Sequence, residues 1–435
     1  MRYSLEGLCA FLKDSVSAFH AVKNLGAILE DAGFESLRES EKWSLRPGGR
    51  YFVTRNQSSL IAFTVPECGF APVMAVAAHS DSPVFRVKQR PELEVQGKYT
   101  LLNTERYGGA ILNTWLDRPL SVAGRVVVCA QGGLKSQLVN VDHDLLLIPN
   151  LAIHMNREVN DKGGLNAQID LPPLFGDGAA RGGFEAVIAE AAGVAPEQIA
   201  GSDLYVYNRM TPSVWGPDGC YLSAPRLDDL ECAYAAACAF TGARAGEHMN
   251  FLCVFDNEEV GSGTRQGADS TFLQDVLTRA ACVLGADGEA LRACLSSSFM
   301  VSADNAQALH PNHPEKSDPV NRPCMNEGVV VKFSANQKYT TDGVSNAVFG
   351  EICRRAGVPV QYYANRSDLA GGSTLGNISS AHVSIPTVDV GLAQLAMHSS
   401  YETAGTRDAE YMTRALTALY ETELRATDDG AFTLG

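Results

Sequence analysis

Two adjacent glutamates, Glu258 and Glu259, stand just behind an apolar run at 251–255. Neighbouring carboxylates in a buried setting repel each other unless a proton or a cation offsets them. A divalent metal does so. If one glutamate ligates the metal, the other is free to act as general base toward water whose pKa zinc lowers toward neutrality. Other metal-competent residues occupy equivalent places: His79 closes the apolar run 73–78, Asp304 follows 299–302, and His398 follows 388–392 at a longer interval. Asp81 lies two residues past His79, where it could hold one ring nitrogen and leave the other for metal. Asp228, with Asp229 behind it, precedes a helix start, where a carboxylate is a bridging ligand or an N-cap.

Each residue has an ordinary reading as well: a satisfied strand-end histidine, a turn aspartate, a solvated glutamate pair. Five such residues at comparable places argue for convergence, because ligands in open α/β sheets gather at the carboxyl ends of strands. Two histidines with three carboxylates suit a pair of zinc ions, with cobalt or manganese as substitutes. Two metals about 3.5–4 Å apart can clamp a water nucleophile and polarise a scissile carbonyl.

The elements that would position these residues change texture along the chain. Residues 5–12 and 19–31 have helical periodicity, with Gly33 as a stop, and 73–78 suits a buried strand. From about 84 to 222 the pattern is short β-type runs, such as 93–102, 125–130 and 144–148, punctuated by Gly, Pro and Asn. Beyond 224, strand and helix signals alternate: helix 229–240, strands 251–255, 299–302 and 329–333, helix 341–356, strand 388–392 and a helix over 407–425. Alternation of this kind predicts an α/β sheet covered by helices. The expected parse is one α/β domain made of 1–85 and 224–435, interrupted by a β-rich insert at 86–223.

The chain has 435 residues, 45% hydrophobic and 20% charged, which is enough for a large core. A net charge of −15 argues against nucleic acid as a partner. The eleven cysteines never form a CxxC pair and read as reduced core residues. The first residues lack a charged leader followed by an apolar stretch, and no apolar run reaches the roughly 18 residues that span a bilayer. A cytoplasmic protein without membrane contact is the expectation.

The segments 79–83 (His-Ser-Asp-Ser-Pro), 148–154 (Ile-Pro-Asn-Leu-Ala-Ile-His), 224–229 (Ala-Pro-Arg-Leu-Asp-Asp), 255–262 (Phe-Asp-Asn-Glu-Glu-Val-Gly-Ser), 302–305 (Ser-Ala-Asp-Asn), 310–312 (His-Pro-Asn) and 394–399 (Gln-Leu-Ala-Met-His-Ser) resemble, in order and spacing, the aspartyl aminopeptidase family of dinuclear zinc exopeptidases. The resemblance implies a zinc-exopeptidase-like sheet with an inserted dimerisation domain. It implies that His79 and Asp304 bind one metal, that Glu259 and His398 bind the other, and that Asp228 bridges. It implies Glu258 as general base, Asp81 as the residue orienting His79, and His154 as an oxyanion-stabilising group reaching a neighbouring subunit's site. Lys332 and Tyr339 are implied substrate contacts, although a lysine at a strand end also reads as a snorkelling surface residue. The implied reaction is removal of N-terminal residues, acidic ones among them, from peptides. The implied assembly is a homo-oligomer of dimers built into a tetrahedral dodecamer. Gln307 departs from the family pattern, where a histidine is common, and leaves the preference for the N-terminal residue open. Two rival readings remain: a dinuclear amidohydrolase or deacylase, and a metal-stabilised scaffold without catalysis.

Overall fold

The computed structural model describes residues 2–435 apart from positions 162 and 370. Nine strands form the main sheet. At its centre Val73–His79 lies between Met249–Phe255 and Phe299–Ala303, parallel to both, and Thr387–Gly391 continues the parallel set beyond Phe299–Ala303. Every residue of these four strands is buried. Their continuous apolar character follows from helices on both faces, and period-two alternation divides their side chains between two cores. Met74 and Val76 enter the core that includes the helices Leu5–Asp14, Ala18–Asp31, Leu227–Gly242, Gly343–Ala356 and Asp408–Glu421. Ala75 and Ala77 enter the opposite core, against the helix Phe272–Val283.

Leu227–Gly242 is apolar nearly all round, and its residues from Leu227 to Phe240 are buried. A helix of that composition belongs between layers rather than at a surface. Its small residues, among them Ala233, Ala235, Ala236, Ala237 and Ala239, let it pack closely between the sheet and the last helix.

A separate six-stranded sheet is built from strands that begin at Val84 and end at Asn208. It has its own core, including Phe85, Trp115, Val122, Val126 and Leu204, with Phe184 and Ile188 of the helix Phe184–Ala192 packed on it. A five-stranded sheet ties together Ser213–Trp215, Tyr221–Ala224, Glu402–Gly405, Ala393–Leu395 and Ala306–Gln307.

Three sequence expectations differ in detail. Residues 93–102 are not one strand: Val84–Val95 and Tyr99–Tyr107 form a hairpin, turned by Gln96 (φ 51°) and Gly97 (φ 68°). Residues 144–148 make only the isolated bridges Leu120–Leu146 and Leu147–Leu174. The last helix stops at Glu421, and Leu424–Asp428 pairs with Ala431–Leu434. The cysteines are all free, but only five are buried, and Cys68, Cys129 and Cys282 are exposed. Among the described residues no helix is long and apolar enough to cross a membrane.

Candidate active site

The sheet delivers its chemistry at one end. His79 ends the central strand, opposite Phe255 in the ladder. Glu258 and Glu259 follow that neighbouring strand in a short 3-10 turn, Glu258–Val260, entered through Asn257 at φ 63°. Asp304 follows Phe299–Ala303 on the other side of His79. Asp228 sits at the start of the helix Leu227–Gly242, where its backbone (φ −78°, ψ 108°) is not yet helical. His398 comes from the turn between Ala393–Leu395 and Glu402–Gly405 and holds φ 69°.

Among the described residues, side-chain donors close enough to share an ion fall into three overlapping groups. They are His79, Asp228, Asp229 and Asp304; His79, Glu258 and Glu259; and Asp228, Glu259 and His398. Asp228 joins the first and third. Its Oδ1 lies 3.4 Å from His79 Nε2 and its Oδ2 lies 3.4 Å from His398 Nε2. Asp304 Oδ1 is 3.8 Å from His79 Nε2, and Glu259 Oε2 is 3.3 Å from His398 Nε2.

The main chain around these side chains is held by further carboxylates. Asp81 accepts the N–H of Glu258 at 3.0 Å and that of Glu259 at 3.2 Å, together with the Tyr107 hydroxyl at 2.6 Å. Asp229 accepts the N–H of His79 at 3.1 Å. Glu402 accepts those of Asp228 at 3.1 Å and His398 at 2.7 Å. The expected contact between Asp81 and His79 takes a different form. The ring Nδ1 lies 3.0 Å from the Asp81 carbonyl and 3.5 Å from its carboxylate, which is occupied by the other donors.

This set fits divalent metal. Asp228 Oδ1 and Glu259 Oε1 are buried without a hydrogen-bond partner among the described residues. Burial, with the repulsion of Asp228, drives Glu259 well above the usual carboxylate range. Glu258 is pushed to about 8 by burial and by Asp304, Asp81 and Asp228, against the opposing pull of His79. For His79, burial disfavours the charged ring, yet Asp228, Asp304 and Asp81 outweigh it and raise the pKa well above its ordinary value. Carboxylates crowded around buried histidines form a charge pattern that divalent ions neutralise.

Lys332 and Tyr339 line a cavity of about 230 Å³ with Asp228, Glu258, Glu259, Asp304, Gln307 and His398. Lys332 is only 2% exposed, so it is no snorkelling residue. Its Nζ donates to the carbonyls of Asp304 at 2.8 Å and Asn305 at 3.2 Å, lies 3.5 Å from Asp304 Oδ2, and sits 5.4 Å from the centre of the Tyr339 ring. The two carbonyls use two of the three N–H donors of its ammonium. His154 does not join the cluster. It lies on an exposed loop of the six-stranded unit, among exposed Leu151, Ile153 and Met155. A larger groove of about 860 Å³ opens between residues including Arg50, Arg244, His248 and Glu423, and none of the clustered residues lines it.

Sequence reasoning missed Glu402, Tyr107 and the pair Gly108–Gly109. The glycines follow the strand Tyr99–Tyr107 and press against the cluster. A Cβ on Gly108 (φ 73°) would come within 3.2 Å of Glu259 Cβ, and one on Gly109 within 3.2 Å of His398 Nδ1. The Gly109 carbonyl lies 3.2 Å from the same Nδ1, a partner for its N–H when Nε2 faces metal. The doubled glycine was the one visible signal.

Because Lys332 holds the main chain beside Asp304, Lys332→Met should weaken the binding of divalent metal about 10–100-fold. Competition with a chromophoric chelator measures this, and wild-type metal affinity in the variant would contradict the positioning of Asp304 by Lys332.

Residues 11–420 match the family described as aminopeptidase I zinc metalloprotease (M18). A relative from Clostridium acetobutylicum, named probable M18 family aminopeptidase 2, is 46% identical over 424 residues, covering 95% of this chain and 97% of its own. A protein of the same name from Clostridium novyi is 44% identical, with coverage of 95% and 97%. Among solved structures, the one titled as the Ape4 and Nbr1 complex matches with a TM-score of 0.93 at 32% identity, over 96% of this chain and 85% of that one. The S. cerevisiae mApe1 dodecamer matches at 0.84 and 25%, over 96% of each chain. The cluster of histidines and carboxylates therefore lies in a metallo-aminopeptidase, and the chain belongs to the M18 family of zinc metalloproteases.

Proposed function

We propose that this aminopeptidase works with two zinc ions held by His79, Asp228, Glu259, Asp304 and His398, with Glu258 moving the proton. The observation that carries this reading is Asp228, which turns one carboxylate oxygen toward each histidine at the same 3.4 Å. That is the arrangement of a bridging ligand. Zinc bound there would bring the pKa of water toward neutrality and polarise a peptide carbonyl, and cobalt or manganese suits the same donors.

The chain's own residues supply the remaining chemistry. Glu258 takes a proton from the attacking water, whose oxygen adds to the carbonyl carbon of the first peptide bond. As the C–N bond breaks, Glu258 returns the proton to the leaving amine. Asp81 fixes the turn that carries Glu258 through its hold on two successive N–H groups. The acidic wall of the cavity suits a free amino terminus. The first side chain of the peptide rests toward Lys332, Tyr339 and Gln307. Acidic residues are one class of occupant, met by the positive charge of Lys332.

Residues 86–223 act in this proposal as an inserted dimerisation domain between 1–85 and 224–435. Leu151, Ile153, Met155 and Ile169 are between 49% and 76% exposed, an apolar set suited to burial against a second copy. His154 lies among them and reaches the active site of the neighbouring subunit, where it stabilises the oxyanion. A tetrahedral dodecamer of such dimers accords with the dodecamer named for the yeast neighbour. We place the enzyme in the cytoplasm, acting on short peptides.

Glu258→Gln should lower kcat about 10²–10⁴-fold on aminoacyl anilides while zinc content stays at the wild-type level. Full activity in the metal-loaded variant would refute the assigned base. His154→Ala should also lose activity with zinc retained. When it is coexpressed with Glu258→Gln, mixed particles should regain activity, because some sites then combine an intact Glu258 with His154 of the partner subunit. Mixed particles no more active than either parent would rule out the contribution in trans.

A further inference from the structure

We infer that Glu402 is a positioning residue that fixes Asp228 and His398 relative to each other. The inference rests on the reading of those two residues as metal ligands. Glu402 is 2% exposed, and its two oxygens serve different ligands: Oε2 accepts the N–H of Asp228 at 3.1 Å, and Oε1 accepts that of His398 at 2.7 Å.

The topology explains how one side chain reaches both. Glu402 opens the strand Glu402–Gly405, which runs antiparallel to Tyr221–Ala224 and places Glu402 opposite Ala224, four residues before Asp228. In the other direction the chain turns back through Ser400 and Ser399 to His398, four residues away. That turn is anchored from the six-stranded unit, since Ser400 N–H donates to Thr114 Oγ1 at 2.9 Å and Ile111 N–H donates to the His398 carbonyl at 2.9 Å. His398 itself has left-handed backbone at φ 69°, a conformation that a non-glycine residue keeps only when its surroundings impose it. Glu402 imposes it on the N–H side and the contact from Ile111 on the carbonyl side.

A carboxylate suits this place because it accepts on both oxygens and donates on neither. The carboxamide of glutamine has nearly the same shape but one acceptor, and its amino group would confront a second N–H. Glu402→Gln therefore leaves Asp228 or His398 unheld without opening a void.

The test separates positioning from general stability with a second buried carboxylate that performs the same task away from the metal cluster. Asp408 is fully buried and accepts the N–H groups of Asn326 at 2.5 Å and Gly328 at 3.0 Å. Metal-free wild type, Glu402→Gln and Asp408→Asn are compared by thermal unfolding and by zinc competition with a chelator. Both variants should melt below wild type. Only Glu402→Gln should lose zinc affinity, about 10–100-fold, as expected for a group that orients ligands. Affinity in Glu402→Gln within about threefold of wild type, or an equal loss in Asp408→Asn, would overturn the inference. If Glu402→Gln does not fold, Glu402→Asp replaces it; the shorter carboxylate keeps its charge but reaches only one N–H, so zinc binding should weaken about tenfold, and wild-type affinity would overturn the inference equally. Wild-type protein that binds no zinc would instead bring down the reading of Asp228 and His398 as ligands.

Discussion

The site depends on main-chain N–H groups gripped by buried carboxylates. Asp81 holds the turn of Glu258 and Glu259, Asp229 holds His79, and Glu402 holds Asp228 and His398. Each of these acids is under 5% exposed. Burial raises the pKa of Asp229 and Glu402, and for Glu402 the N–H donors of Asp228 and His398 pull the other way. Main-chain attachment restrains the backbone from which each ligand side chain projects. Lys332 completes the pattern with opposite polarity, donating to the Asp304 and Asn305 carbonyls. The arrangement concentrates negative charge in one place, and that excess is what divalent metal would offset.

Two further constraints bring these groups together. Parallel strands in adjacent ladder positions place His79, the Glu258–Glu259 turn and Asp304 side by side at one sheet end. Asp228 and His398 do not come from that set. They are supplied by the entrance to the Leu227–Gly242 helix and by the turn before Glu402, joined through the five-stranded sheet. The six-stranded unit then closes the rim: Tyr107 braces Asp81, and Gly108 and Gly109 come so near Glu259 and His398 that any side chain there would press on them. The cluster is thus walled partly by the six-stranded unit, which also carries the exposed residues Leu151, Ile153 and Met155.

The clustered residues were legible in the sequence because their signal is local. An apolar run followed by His, Asp or Glu declares a buried strand and a functional end, and the structure brings His79, Glu258, Glu259 and Asp304 together in that way. The α/β class was legible for the same reason, from alternating periodicities in 224–435. What stayed hidden is what depends on partners far along the chain. Glu402 looks like any glutamate in a polar turn until the ladder sets it opposite Ala224. Lys332 reads equally well as a surface or a buried cation, and only the packing of Val329–Phe333 against its neighbours decides for burial. The hairpin within 93–102 is hard to read from sequence because its turn pairs Gly97 with Gln96, a residue that seldom announces positive φ.

Crystals grown with zinc and measured at the zinc absorption edge test the central claim most directly. The account predicts two anomalous peaks in each subunit, one among His79, Asp228 and Asp304 and the other among Asp228, Glu259 and His398, with Asp228 touching both. A single peak that leaves Asp228 bound on one side only, or peaks among other side chains, would contradict it.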